Sequence, residues 1–183
     1  MQVFRTVLPG VLLLRPRRFL DERGFFAESY NNRQFEEAGI ATEFVQDNLS
    51  FSENPFTLRG LHFQRTPFAQ AKLVSVIKGR VRDVVVDLRR SSLHFAQHLS
   101  IQLSAAEGDQ LFVPEGFAHG FLTLEPETLF AYKVSTYYSR EHEGGICFDD
   151  PFLNIDWGIE SVVTTSIKDR AWSGFDPQAE YFE

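Results

Sequence analysis

Cysteine is almost missing from this sequence. Cys147 stands alone, and one thiol closes no internal disulfide and offers no thiolate cage for a metal. The chain therefore reads as a protein of a reducing compartment, the cytoplasm. Positive charge is in deficit: 18 Lys and Arg against 25 Asp and Glu leave a formal net charge of -7. That balance argues against broad attraction to nucleic acid or to an anionic membrane surface, while leaving room for a local Arg and Lys cluster that holds an anionic small molecule. No apolar run is long enough to span a bilayer. The segment "VLPGVLLL" (7–14) faintly resembles a signal h-region, but Pro9-Gly10 interrupts it, "RPRR" follows directly and no small-residue cleavage site appears. It reads as a buried strand entered through a turn. Repeats, low-complexity segments, linkers and Gly-rich phosphate loops of the Rossmann or P-loop kind are also missing, which argues for one domain over 1–183 and against those two nucleotide sites.

Aromatic residues, by contrast, are plentiful. Nineteen phenylalanines in a chain that is 43% hydrophobic and 23% charged point to a folded protein with a large interior or an aromatic-lined cavity. One helix is legible: "NNRQFEEAG" (31–39) offers Asn31 as N-cap, Gln34 three positions on and Gly39 as the stop. Most of the rest has strand character. "KLVSVIKGRVRDVVVDLR" (72–89) is two β-branched runs broken at Lys78-Gly79-Arg80, which predicts a hairpin. "HLSIQLS" (98–104) alternates, and "DQLFVPEG" (109–116) is a short strand ended by Pro and Gly. "HGFLTL" and "LFAYKVS" flank "EPET" (125–128), a second predicted hairpin, and "TSIKDR" (165–170) is a loop or a short helix start. Short strands at close spacing with few helices predict an all-β protein, an antiparallel sandwich or barrel.

Strand parity turns these runs into a site. A four-residue loop at "EPET" pairs Leu124 with Leu129, sets Phe121 opposite Tyr132 and His119 opposite Val134, and puts His119, Phe121 and Tyr132 on one face. A tight turn at Gly79 puts Lys72 on the face of Asp83 and Asp87. In "RGLHFQ" (59–64), Gly60, His62 and Gln64 share a face and Leu61 and Phe63 take the other; Arg59 points inward with His62 only if the strand bulges at Gly60. Isolated, His62 is best read as a packed structural histidine. Arg59, Lys72, His119 and Tyr132 change that reading, because burying several such groups in apolar runs is costly unless each is paired. Their convergence predicts an anion site with proton-transfer chemistry.

"GDQLFVPEGFAHGFLT" (108–123) carries most of a cupin second motif, with Thr123 where that motif usually has Asn. A metal cupin also needs a His-x-His pair and a Glu in its first motif, and "LHFQ" supplies His62 alone. With half the donors missing, no bound metal is expected. His94 and His98 are four apart, but in a turn entering a strand that spacing does not converge. Gly144-Gly145 reads as a turn.

Taken together, "LPGVLLLRPRRFLDERGFFAESYN", "VQDNLSFS", "LRGLHFQ", "QAKLVSVIKGRVRDVVVDLR", "LFVPEGFAHGFL", "YKVSTYYSREHEGGICFDDP", "IDW" and "SIKD", in that order over nearly the whole chain, resemble the dTDP-4-dehydrorhamnose 3,5-epimerase family. The resemblance implies a cupin-like jelly roll with a few short helices. It also implies a cofactor-free epimerisation of dTDP-4-dehydro-6-deoxy-D-glucose at C3 and C5, in dTDP-L-rhamnose biosynthesis. His62 would be the base, Tyr132 the proton donor, Asp169 the partner of His62, and Lys72 the cation facing the ketone oxygen. Arg23, Phe26, Glu28, Gln46, Asp47, Asn48, Arg59, His119, Glu143 and Lys168 would join Lys72 in holding the nucleotide sugar. Family members are homodimers that exchange N-terminal strands, so Arg23, Phe26 and Glu28 would serve the neighbouring subunit. An epimerase of one carbon, a 3,4-ketoisomerase, a metal-dependent cupin and a non-catalytic sugar-binding cupin remain alternatives.

The residue types suit that chemistry. A hydrogen beside a ketone leaves as a proton to give an enolate, and a proton returned to the opposite face inverts the carbon. This needs a base on one side, an acid on the other, and a cation at the developing oxyanion. Arg23 and Arg59 match a diphosphate with forked donors, and Phe19 and Phe26 offer faces for a thymine ring.

Overall fold

A computed structural model describes residues 1–159 and 164–183. Its strands are β1 (Gln2–Arg5), β2 (Leu12–Arg15), β3 (Arg18–Asp21), β4 (Gly24–Ala27), β5 (Gln46–Ser52), β6 (Leu58–Gln64), β7 (Lys72–Lys78), β8 (Arg80–Asp87), β9 (His98–Ser104), β10 (Gln110–Val113), β11 (Phe117–Thr123), β12 (Thr128–Val134) and β13 (Glu143–Gly145), with short helices α1 (Asn32–Glu37) and α2 (Ile167–Arg170). Two antiparallel sheets form, in the orders β1-β2-β10-β7-β12-β5 and β13-β6-β11-β8-β9. β3 and β4 pair only with each other, as a separate ribbon. The fold is an antiparallel β-sandwich, as the strand spacing led one to expect, and it is cupin-like, as the resemblance implied.

The two sheets face each other across an aromatic contact, Phe121 of β11 stacked on Phe130 of β12 with ring centroids 4.0 Å apart. Period-two alternation feeds three apolar layers. Val74, Val76, Val81, Val85, Phe117, Phe121 and Phe130 fill the space between the sheets. Val84, Val86, Leu61, Phe63 and Leu122 take the other parity and pack under Ile146, Phe148, Leu153, Trp157 and Phe175. Leu73 and Phe112 do the same on the outside of the larger sheet, beneath Phe35 of α1 and Ile40. This is why the valines of both parities in β8 are buried: both of its faces are covered, each by a different layer. α1 has the predicted ends. The Asn31 side chain accepts from Gln34 N–H, and Gly39 follows at φ +82°.

Both predicted hairpins are absent. β7 pairs with β10 and β12, and β8 with β11 and β9. Likewise β11 pairs with β6 and β8, while β12 pairs with β5 and β7. Lys78-Gly79-Arg80 and "EPET" are corners at which the chain leaves one sheet for the other. A polar, glycine-containing break marks a reversal in either case, and local sequence does not say whether the next strand lies beside the last or across from it. The proposed partners change accordingly: Tyr132 sits beside Asn48 and Val74, and His119 beside His62 and Val85. The shared face survives, because the inward faces of opposed sheets look into the same space. Gly79 is needed at its corner, where φ is +85° and a Cβ would lie 2.5 Å from Thr128 Oγ1.

Gly144 and Gly145 also differ from expectation. They belong to β13, paired with Phe63 and His62 of β6, not to a turn. Side chains there would collide with rings, since a Cβ on Gly144 would meet Phe63 at 2.5 Å and one on Gly145 would meet Trp172 at 2.3 Å. Two glycines in a row signal a close approach here, not a reversal.

Candidate active site

Between the sheets lies a cavity of about 660 Å³. One wall comes from β6 and β11, which carry Arg59, His62, His119 and Phe121; the facing wall comes from β7 and β12, which carry Lys72, Phe130 and Tyr132. The segment around α2 adds Thr164, Thr165, Ser166, Lys168 and Asp169, and Leu49–Phe51 of β5 completes the border.

The predicted bulge in β6 is present. His119 pairs with His62, yet Phe121 pairs with Arg59, so two steps on β11 match three on β6. The extra residue turns Arg59 and His62 to the same side. Gly60 occupies the irregularity at φ +130°, where a Cβ would lie 2.5 Å from Gly120 Cα. Arg59 is steadied from β5, its Nε donating to Ser52 Oγ (3.3 Å) and its guanidinium to the Phe51 carbonyl (2.9 Å).

His62 and Asp169 lie 107 positions apart and meet here. Nε2–H of His62 donates to Asp169 Oδ1 at 2.6 Å. Asp169 is buried and His62 about one-third exposed. Burial pushes the Asp169 carboxyl up, but the hydrogen bond and charge of His62, with donors from Ser166 and Gly60, bring it below its usual range. An ionised carboxylate fixed on Nε2 leaves Nδ1 as the free acceptor of the ring.

Lys72 is buried, its ammonium 3.5 Å from the His62 carbonyl oxygen. Burial pulls its pKa down to about 8, against the attraction of Asp83 and Glu143. It remains charged at neutral pH. Tyr132 is raised above the usual phenol value, chiefly by burial and against the pull of Arg59, so it keeps its proton. His119 is buried and donates to Asp83 Oδ2 at 2.9 Å. At the rim Glu143 accepts from Tyr138 Oη at 3.0 Å and pairs with Lys168.

The structure therefore brings together His62, Tyr132, Asp169, Lys72, Arg59, His119, Lys168 and Glu143 from the predicted set. Others lie apart. Arg23, Phe26 and Glu28 belong to the β3–β4 ribbon and its exit: Arg23 is exposed against Asp21, Phe26 is exposed, and Glu28 accepts from Gln34 and Asn31. Gln46 and Asn48 bond to each other at the start of β5, outside the cavity border, and Asp47 takes the opposite face, paired with Lys133. Asp87, expected beside Lys72, instead accepts from Arg89 and Ser92. Among the described residues, no three His, Cys, Asp or Glu side chains converge on a point.

Sequence reasoning missed several groups. It put Asp83 on the right face without seeing it as the partner of His119. It passed over Ser50 and Ser166 and the threonines of the wall, because small hydroxyl residues carry no signal by themselves. The one available hint was Ser166 three positions before Asp169, a capping pattern.

A family model described as dTDP-4-dehydrorhamnose 3,5-epimerase matches residues 5–176. The chain is 49% identical over 183 residues to dTDP-4-dehydrorhamnose 3,5-epimerase of Shigella flexneri, covering 100% of this chain and 99% of that one. It superposes on the enzyme of the same name from Bacillus anthracis, crystallised with TDP and PPi, with a TM-score of 0.93 and 46% identity over 95% of this chain and 99% of that one. A Legionella pneumophila dTDP-6-deoxy-D-glucose-3,5-epimerase in complex with dTDP-4-keto-L-rhamnose gives a TM-score of 0.90 at 42% identity, over 94% and 92% of the two chains.

Proposed function

The chain belongs to the dTDP-4-dehydrorhamnose 3,5-epimerase family, and from that membership we propose how its cavity works on dTDP-4-dehydro-6-deoxy-D-glucose. The enzyme is an isomerase that inverts C3 and C5 of this nucleotide sugar, giving dTDP-4-dehydro-L-rhamnose. His62 takes the proton from the carbon beside the ketone through Nδ1. Asp169 holds the other ring nitrogen and stabilises the imidazolium that forms. The electron pair passes into the C4 oxygen, and Lys72, buried in the wall, meets the developing charge. Tyr132 then delivers a proton to the opposite face of the enolate. Each carbon is left redox-neutral, so the inversion consumes no cofactor.

The observation that carries this reading is the opposition of His62 on β6 to Tyr132 on β12 across one cavity, with Lys72 beside the base. A sugar lying between the sheets then has its base on one side and its acid on the other. Arg59, His119, Lys168 and Glu143 border the place where the diphosphate and sugar hydroxyls enter. A homodimer supplies the remaining contacts. The β3–β4 ribbon pairs with neither sheet and exposes Leu20, Phe25 and Phe26; crossing to a second subunit, it would cover that apolar surface and carry Arg23, Phe26 and Glu28 to the neighbour's cavity. Gln46 and Asn48 join the site in the same assembly. No helix among the described residues is long and apolar enough to cross a membrane, and we place the reaction in the cytoplasm, where the lone cysteine stays reduced.

NMR of the product formed from dTDP-4-dehydro-6-deoxy-D-glucose in deuterated water tests the reading. Inversion at C3 and C5 with deuterium at both is expected. Inversion at one carbon only establishes the single-carbon alternative, a moved ketone establishes a ketoisomerase, and unchanged sugar removes the enzymatic reading.

A further inference from the structure

The carboxylate that serves the base rides on a poor support. α2 is four residues long, and one turn of helix has almost no stability of its own. Among the described residues, a few polar contacts tie this segment to the sandwich, the Gly60 N–H toward the Asp169 carboxyl being one. The Leu58 N–H donates to the Thr164 carbonyl at 2.8 Å, Lys168 pairs with Glu143 at the exposed rim, and Asp169 reaches His62. Asp169 nonetheless has to stay within 2.6 Å of a ring on another element.

Ser166 is the residue placed to do this. It caps α2 in extended conformation (φ -70°, ψ 156°), its Oγ accepting from the Asp169 backbone N–H at 3.0 Å. The same residue anchors the turn through its carbonyl, which accepts from Arg170 N–H at 3.2 Å. The Ser166 hydroxyl and the Gly60 N–H also help to hold the Asp169 carboxyl in its ionised form, behind the larger contribution of His62 and against burial. Two neighbours that border the cavity do not share this role: Thr164 bridges to Thr57 through its backbone, and the buried Thr165 hydroxyl finds no partner among the described residues.

We infer that Ser166 is a positioning residue for the reaction: it orients Asp169 against His62, and through that contact sets how well the base works at both carbons. The inference rests on the epimerase reading above. Ser166 acts through Asp169 and needs no contact with the sugar, so its effect falls on turnover and not on affinity. It also falls equally on C3 and C5, because His62 serves both.

The test compares wild type with Ser166→Ala, Ser166→Gly and Ser166→Thr. Glycine deletes the hydroxyl while keeping a backbone that an N-cap tolerates, and threonine keeps the hydroxyl and the cap. Expected for Ala and Gly are a fall in kcat of about tenfold, KM within about twofold of wild type, and equal slowing of deuterium uptake at C3 and C5. Threonine should recover most of the rate. In proton NMR of the free protein, the downfield resonance of the His62 Nε2–H, identified by its loss in Asp169→Asn, should broaden or move in Ala and Gly and persist in Thr. A raised KM with unchanged kcat in Ala and Gly, slowing at one carbon only, or an unmoved His62 resonance overturns the inference while leaving the epimerase intact. If Ala fails to fold, Gly and Thr decide by the same criteria. Should wild type take up no deuterium at either carbon, the epimerase reading falls and this inference falls with it.

Discussion

Replacing Lys72 with Met should make the protein more stable and nearly inactive. Lys72 is buried, and its pKa falls from 10.5 to about 8, mainly because burial strips water from the ammonium. Asp83 and Glu143 pull the other way and are already included in that balance. A depression of this size corresponds to about 3 kcal/mol by which the folded state disfavours the charged form. The folded pKa lies below the unfolded one, so this cost is present in full below pH 8. It fades as pH rises from about 8 to 10.5, where the unfolded chain still binds the proton and the folded one does not. Methionine has a similar length and no charge, and Val74 and Val76 share its face. At pH 7, urea unfolding of Lys72→Met should give a gain of roughly 1–3 kcal/mol, and a melting temperature several degrees higher at about 2–4 °C per kcal/mol. The advantage over wild type should shrink toward pH 10.5. Turnover should fall on the order of a hundred- to a thousandfold, the cost of losing the charge that faces the enolate oxygen. In wild type, kcat should decline as pH rises through about 8, when Lys72 loses its proton, while Tyr132, raised by burial, still holds its own. A less stable Lys72→Met, or one whose advantage is the same at pH 7 and pH 10, refutes the account of a strained buried cation. A variant with normal turnover refutes its catalytic use.

Two other outcomes separate the assigned roles. Tyr132→Phe keeps the ring against Phe130 and loses only the hydroxyl, so it should retain deuterium exchange without inversion while epimerisation drops about a hundredfold or more; His62→Ala, with no base, should exchange at neither carbon, and normal epimerisation by the first or exchange by the second reverses the assignment. Mixing Arg23→Ala with His62→Ala subunits should restore part of the activity lost in each, because a mixed dimer has one cavity with both residues intact; no recovery after proven subunit exchange counts against shared sites.

Much of the site was readable in the chain because strands repeat every two residues. Parity alone put His62, Lys72, His119 and Tyr132 on inward faces, and the glycine in "RGLHFQ" marked the one place where a bulge brings Arg59 round to join them. The Asn31 cap, Gly39 stop and strand content were likewise local matters, decided by side-chain geometry within a few residues. Which strands lie side by side was not. Gly79 and "EPET" announce reversals equally well for a hairpin and for a corner between sheets. The choice depends on covering both apolar faces of β7, β8, β11 and β12, a property of the whole sandwich. The glycines of β13 could not be read for the same reason: what forbids a side chain there is Phe63 and Trp172, neither of them a sequence neighbour. Asp169 came to His62 only through the resemblance, since 107 residues separate them. Their 2.6 Å contact, the Asp83–His119 pair and the depressed Lys72 exist because opposed sheets bring these groups together and bury most of them. Once buried, each charge must find a partner or give up its proton, and tertiary structure alone decides which partners are within reach.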